Sequence, residues 1–194
     1  MLSIRPAAID DCQAISDIYR YYVENSVATF DLVPLTVDEW RVKLSSITAA
    51  GRPFLVVEDT DAEDADAQIG GPVVLGYAYL GVYRGKAGWA WTAEDSIYLR
   101  PEAAGRGIGS RLLRALLDAA DPAVTRTVMA VISDEVPESV KLHGKVGFEE
   151  IGRTSGVGRK FGRWIGCVYM RYTLKATDLD VGLGGEAAST AGTP

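Results

Sequence analysis

The chain is short of histidine and cysteine: one histidine and two cysteines in 194 residues. Cys12 and Cys167 cannot make a disulfide framework, and no Cys/His spacing offers a zinc site. With His143 as the sole imidazole, a metal site would need clustered carboxylates, so no metal is expected. No apolar run is long enough to span a bilayer, and the opening MLSIRPAAIDD lacks the hydrophobic stretch of a secretory leader. The expectation is therefore a cytoplasmic protein with no membrane partner. Basic residues are in deficit, 20 against 26 acidic ones, and the net charge of −6 argues against a nucleic-acid partner.

What is present is the composition of a globular domain, 47% hydrophobic and 24% charged. The length suits one domain with a core of its own. Residues 1–174 are assigned to it. The tail 175–194, whose large apolar side chains are Leu179, Val181 and Leu183, is expected to be frayed. The acidic, small-sided stretch DTDAEDADAQIGG is expected to be an exposed connection.

Periodicity divides the rest into strands and helices in mixed order. LSIRPA reads as a strand. IDDCQAISDIYRYYVENS reads as a helix capped by Asp10 or Asp11, with Ile9, Cys12, Ile15, Ile18, Tyr19, Tyr22 and Val23 on its apolar face. ATFDLVPLT is a loop, Thr36 caps a second helix, and Gly51 ends it. RPFLVVE is a strand, and PVVLGYAYLGVY and WAWTAEDSIYLR form a hairpin through RGKAG. A leucine-rich helix follows, with Ile108, Leu112, Leu113, Leu116 and Leu117 facing the core. TRTVMAVI, a short helix in PESVKLHGKVG, and two closing strands, FEEIGRTSGVG and RWIGCVYMRYTL, complete the chain.

Gly105, Gly107 and Gly109 sit at alternate positions just before that leucine-rich helix. A strand-to-helix turn needs one glycine; three, with Arg100, Arg106, Arg111 and Arg114 set against Glu102, favour an anion site. The bare helix start offers unpartnered N–H groups and the positive end of the helix dipole. The spacing matches neither the dinucleotide fingerprint nor the nucleotide-triphosphate loop.

SIYLRPEAAGRGIGSRLL resembles the acetyl-CoA signature of the GNAT N-acetyltransferases, a strand followed by a Q/R-x-x-G-x-G/A loop. The likeness runs from about Ile4 to Leu174. IYRYYVENSVATF, WTAEDSIYL, SVKLHGKVGF and GVGRKFGRW resemble, in order, the phosphinothricin acetyltransferase-like members, a subgroup that includes methionine sulfone and sulfoximine acetyltransferases.

The resemblance implies an α/β (α+β mixed) GNAT fold. Its central mixed sheet is mostly antiparallel, flanked by helices, and splayed between SIYL and TVMAVI where acetyl-CoA enters. It implies that Ile97 and Leu99 meet the pantetheine arm, that the Leu99 N–H faces the thioester oxygen, and that Gly105, Arg106, Gly107, Ile108, Gly109 and Ser110 cradle the phosphates. Glu94 matches the family's catalytic glutamate, and His143 a histidine given a proton-transfer role. Phe30, Lys86 and Trp89, with GRKFGRW, fall where the family shapes its acceptor pocket. Lys86 stands in place of the usual arginine. The implied partners are a small-molecule amine and a second copy of the chain, as a homodimer.

The chemistry agrees with a base. An α-amine with pKa about 8 is about one-tenth neutral at pH 7, and a more basic amine far less. Glu94, set among Trp89, Trp91 and Tyr98, is the candidate, its proton affinity raised by desolvation. Asp95 is expected to turn away, because neighbours on a strand face opposite sides. Lys160 and Arg163 fit an exposed turn or a substrate role equally.

Four positions depart from the pattern. Ala104 takes the place of Gln or Arg, Val136 that of an asparagine, Gly144 that of a glutamate after His143, and Gly166 that of an aspartate. They bear on the acceptor more than on acetyl-CoA. The leading expectation is acetyl transfer to the primary amine of a small amino-acid-like substrate of the phosphinothricin, methionine sulfone or sulfoximine type, by direct attack with no covalent enzyme intermediate. Two alternatives stay open: another amine (polyamine, aminoglycoside or peptide N-terminus), or an acyl-CoA-binding regulatory module without turnover.

Overall fold

Seven strands form one sheet in the order β1-β2-β3-β4-β5-β7-β6. The computed structural model describes residues 1–61 and 72–174; most of the acidic connection (62–71) and the tail (175–194) lie outside the described residues. The strands are β1 (Leu2–Pro6), β2 (Phe54–Asp59), β3 (Val73–Val82), β4 (Thr92–Leu99), β5 (Thr127–Ser133), β6 (Glu149–Lys160) and β7 (Arg163–Thr173). The helices are α1 (Cys12–Asn25), α2 (Val37–Ala49), α3 (Ile108–Asp118) and α4 (Pro137–Val146). Every strand pair is antiparallel except β4 and β5.

That exception shapes the site. β4 and β5 pair through only three positions, Thr92↔Thr127, Ala93↔Val128 and Glu94↔Met129. Beyond Glu94 the strands part, so the expected splay between SIYL and TVMAVI is present. The sheet stays in one piece because β3 holds β4 along its whole length, from Gly76↔Leu99 to Val82↔Ala93, while β7 holds β5.

Helices cover both faces. On one, Ile108, Leu112, Leu113 and Leu116 of α3 are buried against Leu80, Ala93 and Val128 of the sheet. Each fully buried leucine contributes about 1.5–3 kcal/mol. On the other, Ile15 and Tyr19 of α1 and Trp40 and Leu44 of α2 pack on Phe54, Val56, Tyr77 and Tyr79. Trp40 meets the rings of Tyr19 and Tyr77 edge-on. Both helical stripes follow from the apolar spacing in the sequence.

Local signals behave as their chemistry requires, with corrections at the start of α1 and at the end of β6. Thr36 caps α2 as expected: Thr36 Oγ1 accepts from the Glu39 N–H and the Glu39 carboxylate accepts from the Thr36 N–H. Asp11 does not cap α1 with its side chain, because its backbone is already helical. A 3-10 turn, Ile9–Asp11, precedes the helix, and the Asp11 carboxylate accepts from the Ala8 N–H at 2.7 Å and pairs with Arg5 at 2.7 Å. Ile9, on that turn, is exposed instead of lying on the apolar face. The second correction is β6, which continues past the expected end to Lys160.

Candidate active site

A cleft of about 680 Å³ opens where β4 and β5 part. Its walls come from both sides of the sheet because the gap lies in the plane of the sheet itself. One wall is α3, α4 and the loop between β4 and α3, with Gly105, Gly107, Gly109, Ser110, Ser139 and His143. The other is α1 and the loop after it, with Tyr19, Tyr22, Thr29, Phe30 and Asp31. The free edge of β4 runs between them.

The backbone of that edge is accounted for by strand alternation. The Arg100 N–H donates to the Leu75 carbonyl of β3 at 2.8 Å. Successive residues turn their N–H and C=O to opposite edges, so Asp95, Ile97 and Leu99 present theirs toward β5, which has diverged. Ile97 and Leu99 therefore face the cleft through their main chain, as an extended amide-bearing arm needs. The Leu99 carbonyl accepts from Tyr22 Oη at 2.7 Å, which ties α1 to the end of β4.

The glycine loop resolves into distinct roles. Gly105 (φ 73°) and Gly107 (φ 76°) have left-handed backbones, a turn that costs any other residue strain. A Cβ on either would meet nothing within 4 Å, so the space over the turn is open. Gly107 is the N-cap of α3 and no side chain caps that helix, which leaves its first N–H groups facing the cleft. Gly109 and Ser110 also line the cleft. Ile108 does not: its side chain is buried in the core, and only its backbone belongs to the helix start. Arg106 is exposed and outside the lining. Lys141 and Lys145 of α4 do line the cleft; nothing in their sequence spacing singled them out.

Glu94 stands at the point where the strands part, as the last β4 residue paired with β5. It is half-buried, and burial followed by the charge of Asp95 pushes its carboxyl up to about 7, against the opposing pull of Lys43. Asp95 does not turn away from the site. Both neighbours border the cleft, because a cleft in the sheet plane touches both faces of β4. Asp95 Oδ2 lies 2.9 Å from Nε2 of His143, and the two side chains are 1% and 3% exposed. Burial favours the neutral His143 ring, but the charge and hydrogen bond of Asp95 and the Ser139 carbonyl outweigh it and raise the ring above its ordinary value.

The acceptor-side expectations divide. Phe30 lines the cleft and packs against Gly158, where a Cβ would overlap its ring. Lys86 and Trp89 do not line it. They lie on the β3–β4 connection, beside a separate hollow of about 340 Å³ that they share with Arg52 and Arg84. A 3-10 turn over Ala87–Trp89 and the guanidinium of Arg52, donating to the Gly81 and Ala90 carbonyls, set that connection apart from Glu94.

Lys160 is not an exposed turn residue. It is 3% exposed, and Nζ donates to the Thr29 carbonyl at 2.8 Å and the Tyr22 carbonyl at 3.4 Å. It thereby pins β6 to the loop that carries Phe30. Arg163 pairs with Glu135 on the surface.

The departures also find physical answers. The space that a Gly166 side chain would occupy is filled by the Asp134 carboxylate, which accepts from the Gly166 N–H at 3.0 Å. Val136, at the α4 N-cap, lines the cleft and makes no side-chain cap. Among the described residues, no group of three or more His, Cys, Asp or Glu is placed to hold a metal, and no helix is long and apolar enough to cross a membrane.

Comparison with known proteins agrees with this geometry. The model of the acetyltransferase (GNAT) family matches residues 16–148. The chain is 36% identical to phosphinothricin N-acetyltransferase of Alcaligenes faecalis over 91% of this chain and 84% of that protein. It is 33% identical to the L-methionine sulfoximine/L-methionine sulfone acetyltransferase of Pseudomonas paraeruginosa, over 90% and 96%. The crystal structure of a phosphinothricin acetyltransferase from Sinorhizobium meliloti, in complex with acetyl-CoA, superposes with a TM-score of 0.79 at 36% identity, covering 89% of this chain and 88% of that one. By the splayed strands, the glycine-led helix start and these relationships, the chain belongs to the GNAT family of acetyltransferases.

Proposed function

We propose that the chain moves an acetyl group from acetyl-CoA to the primary amine of a small amino-acid-like substrate, of the phosphinothricin, methionine sulfone or methionine sulfoximine type, with Glu94 as the general base. The observation that carries this reading is the position of Glu94, half-buried at the throat of the cleft with its carboxyl at about 7. A base poised there is about half ionised at neutral pH, able both to take a proton and to release it.

Acetyl-CoA supplies the acetyl group: the amine nitrogen forms the new C–N bond as the C–S bond breaks and CoA leaves as the thiol. The chain's own residues do the rest. The backbone of Ile97 and Leu99 offers a strand-like edge to the pantetheine amides, with the Leu99 N–H toward the thioester oxygen. The open turn at Gly105 and Gly107 and the uncapped α3 start offer N–H groups to the phosphates. The acceptor enters on the Phe30 side, between Thr29, Asp31 and Tyr79. The Glu94 carboxylate takes the proton that the amine gives up. Support for the acceptor class comes from the relatives, whose substrates are named as phosphinothricin and the methionine derivatives. A homodimer is part of the proposal, supported by the exposed side chains of Ile151, Val157 and Trp164 at the β6 edge of the sheet.

The test is release of free CoA, followed with a thiol reagent at fixed acetyl-CoA. Phosphinothricin, methionine sulfone and methionine sulfoximine are compared with spermidine and an aminoglycoside. Release confined to the first three is expected. Release with spermidine or the aminoglycoside alone overturns the acceptor class. No release with any of them, alongside thermal stabilisation by acetyl-CoA, favours a binding module.

A further inference from the structure

We infer that Asp95 is a positioning residue that holds His143 as an imidazolium with both ring N–H groups engaged, and so takes His143 out of proton transfer. The geometry places an oxygen at each ring nitrogen, with the Ser139 hydroxyl a longer contact of Nδ1 at 3.4 Å. Nδ1 lies 2.7 Å from the Ser139 carbonyl oxygen, an acceptor only, so Nδ1 donates. Nε2 lies 2.9 Å from Asp95 Oδ2, and a carboxylate there is again an acceptor. A ring with both nitrogens donating carries a charge and cannot accept a proton from an amine.

The surroundings fix that state. Asp95 Oδ1 is buried with no hydrogen-bond partner among the described residues. A carboxylate so placed depends on a counter-charge, and the ring supplies it. Among the described residues, Asp95 is the charged group in hydrogen-bond contact with the ring. β4 brings Asp95, and the Phe148 ring meets the imidazole edge-on with centroids 5.0 Å apart. The other charged residues of α4 near it in sequence, Glu138, Lys141 and Lys145, are exposed. Asp95 is thus the charged group that sets the state of His143, while its proximity also bears on Glu94.

His143 is the only histidine in the chain, so nitrogen NMR of the tag-free full-length protein reads this ring without assignment. Both ring nitrogens are expected to be protonated at neutral pH, where an ordinary imidazole has largely lost its second proton. An unprotonated Nδ1 or Nε2 at neutral pH overturns the inference. In Asp95→Asn the ring is expected to lose one proton at neutral pH, because burial, the largest influence on the ring, then outweighs the remaining support of the Ser139 carbonyl; an unchanged spectrum in a folded Asp95→Asn protein also overturns it. Should that variant not fold, the wild-type spectrum decides alone.

A kinetic arm rests on the proposed role of Glu94. His143→Gln is expected to keep the acid limb of kcat/KM at about pH 7. Loss of that limb would place the base on His143 and overturn the inference. Glu94→Gln reports on the other reading. Full activity there would sink Glu94 as base, while the His143 spectrum would still judge the ion pair.

Discussion

In the role proposed for it, Glu94 is held in a state that favours proton transfer over stability. Its carboxyl titrates at about 7 in the folded chain against 4.5 for an ordinary glutamate. Between those values the folded chain holds a proton that the unfolded chain has released. Stability therefore falls as pH rises from about 4.5 through about 7, and stays lower above. Replacing Glu94 by Gln removes that penalty. The variant is expected to melt above the wild type at about pH 8, by about 1–2 kcal/mol once solvent screening of a half-buried group is allowed for, and to converge with it near pH 4. Its kcat is expected to fall by about 10²–10⁴-fold, with the acid limb of the pH–rate profile abolished. A thermal melt series across pH and a kcat/KM profile check both halves. A variant that kept the wild-type rate would remove Glu94 from the reaction. Glu94 was legible in the sequence from its aromatic neighbours and its motif. Asp95 was not: strand alternation correctly put it on the opposite face, but the cleft lies in the sheet plane and touches both faces. Its bond to His143 spans 48 positions, a contact no local pattern encodes.

At the level of elements, α3 and α4 use glycine for opposite reasons, and substitution separates them. Gly107 has a left-handed backbone at the α3 N-cap, so Gly107→Ala is expected to cost about 1–2 kcal/mol and to weaken acetyl-CoA binding. Gly144 lies in the last turn of α4, where an added Cβ meets nothing within 4 Å. Gly144→Ala is expected to stabilise the chain by about 0.5–1 kcal/mol through helix propensity alone. Urea titration of the two variants checks the pair, and the same sign for both would contradict the assignment. The helices and most strands were legible because their apolar stripes and caps are local. β6 was legible only in part. Its outer half is glycine-rich and exposed, and pairing with β7 together with the Lys160 anchor holds it as a strand. The resemblance placed Lys86 and Trp89 with Phe30 at the acceptor pocket; within one chain the turn after β3 carries them beside a separate hollow.

The whole molecule ends its sheet on β6, a 12-residue edge strand. Ile151 and Val157 on this strand are 50% and 52% exposed, and Trp164 at the start of β7 is 67% exposed. A long edge with apolar side chains and unpaired backbone groups is a template for another strand or sheet face, and proteins that stay monomeric blunt such edges with charge. Glu149, Glu150, Arg153 and Arg159 are placed on β6, but Arg153 pairs with Glu150 at 2.6 Å and Glu149 with Arg171 at 3.2 Å. Covering this surface with a second copy would bury the tryptophan and both aliphatic side chains while leaving the β4–β5 cleft, on the interior of the strand order, open to acetyl-CoA. Sedimentation velocity is therefore expected to give a species of about twice the 20.8 kDa chain mass. The double substitution Ile151→Lys with Val157→Lys places two charges on the same edge and is expected to shift the protein to the monomer, with its melting cooperativity retained because neither side chain belongs to the core. A wild-type protein that sediments as a monomer would leave this edge without a partner of its own kind. A double variant that remained dimeric would move the interface to another surface of the fold.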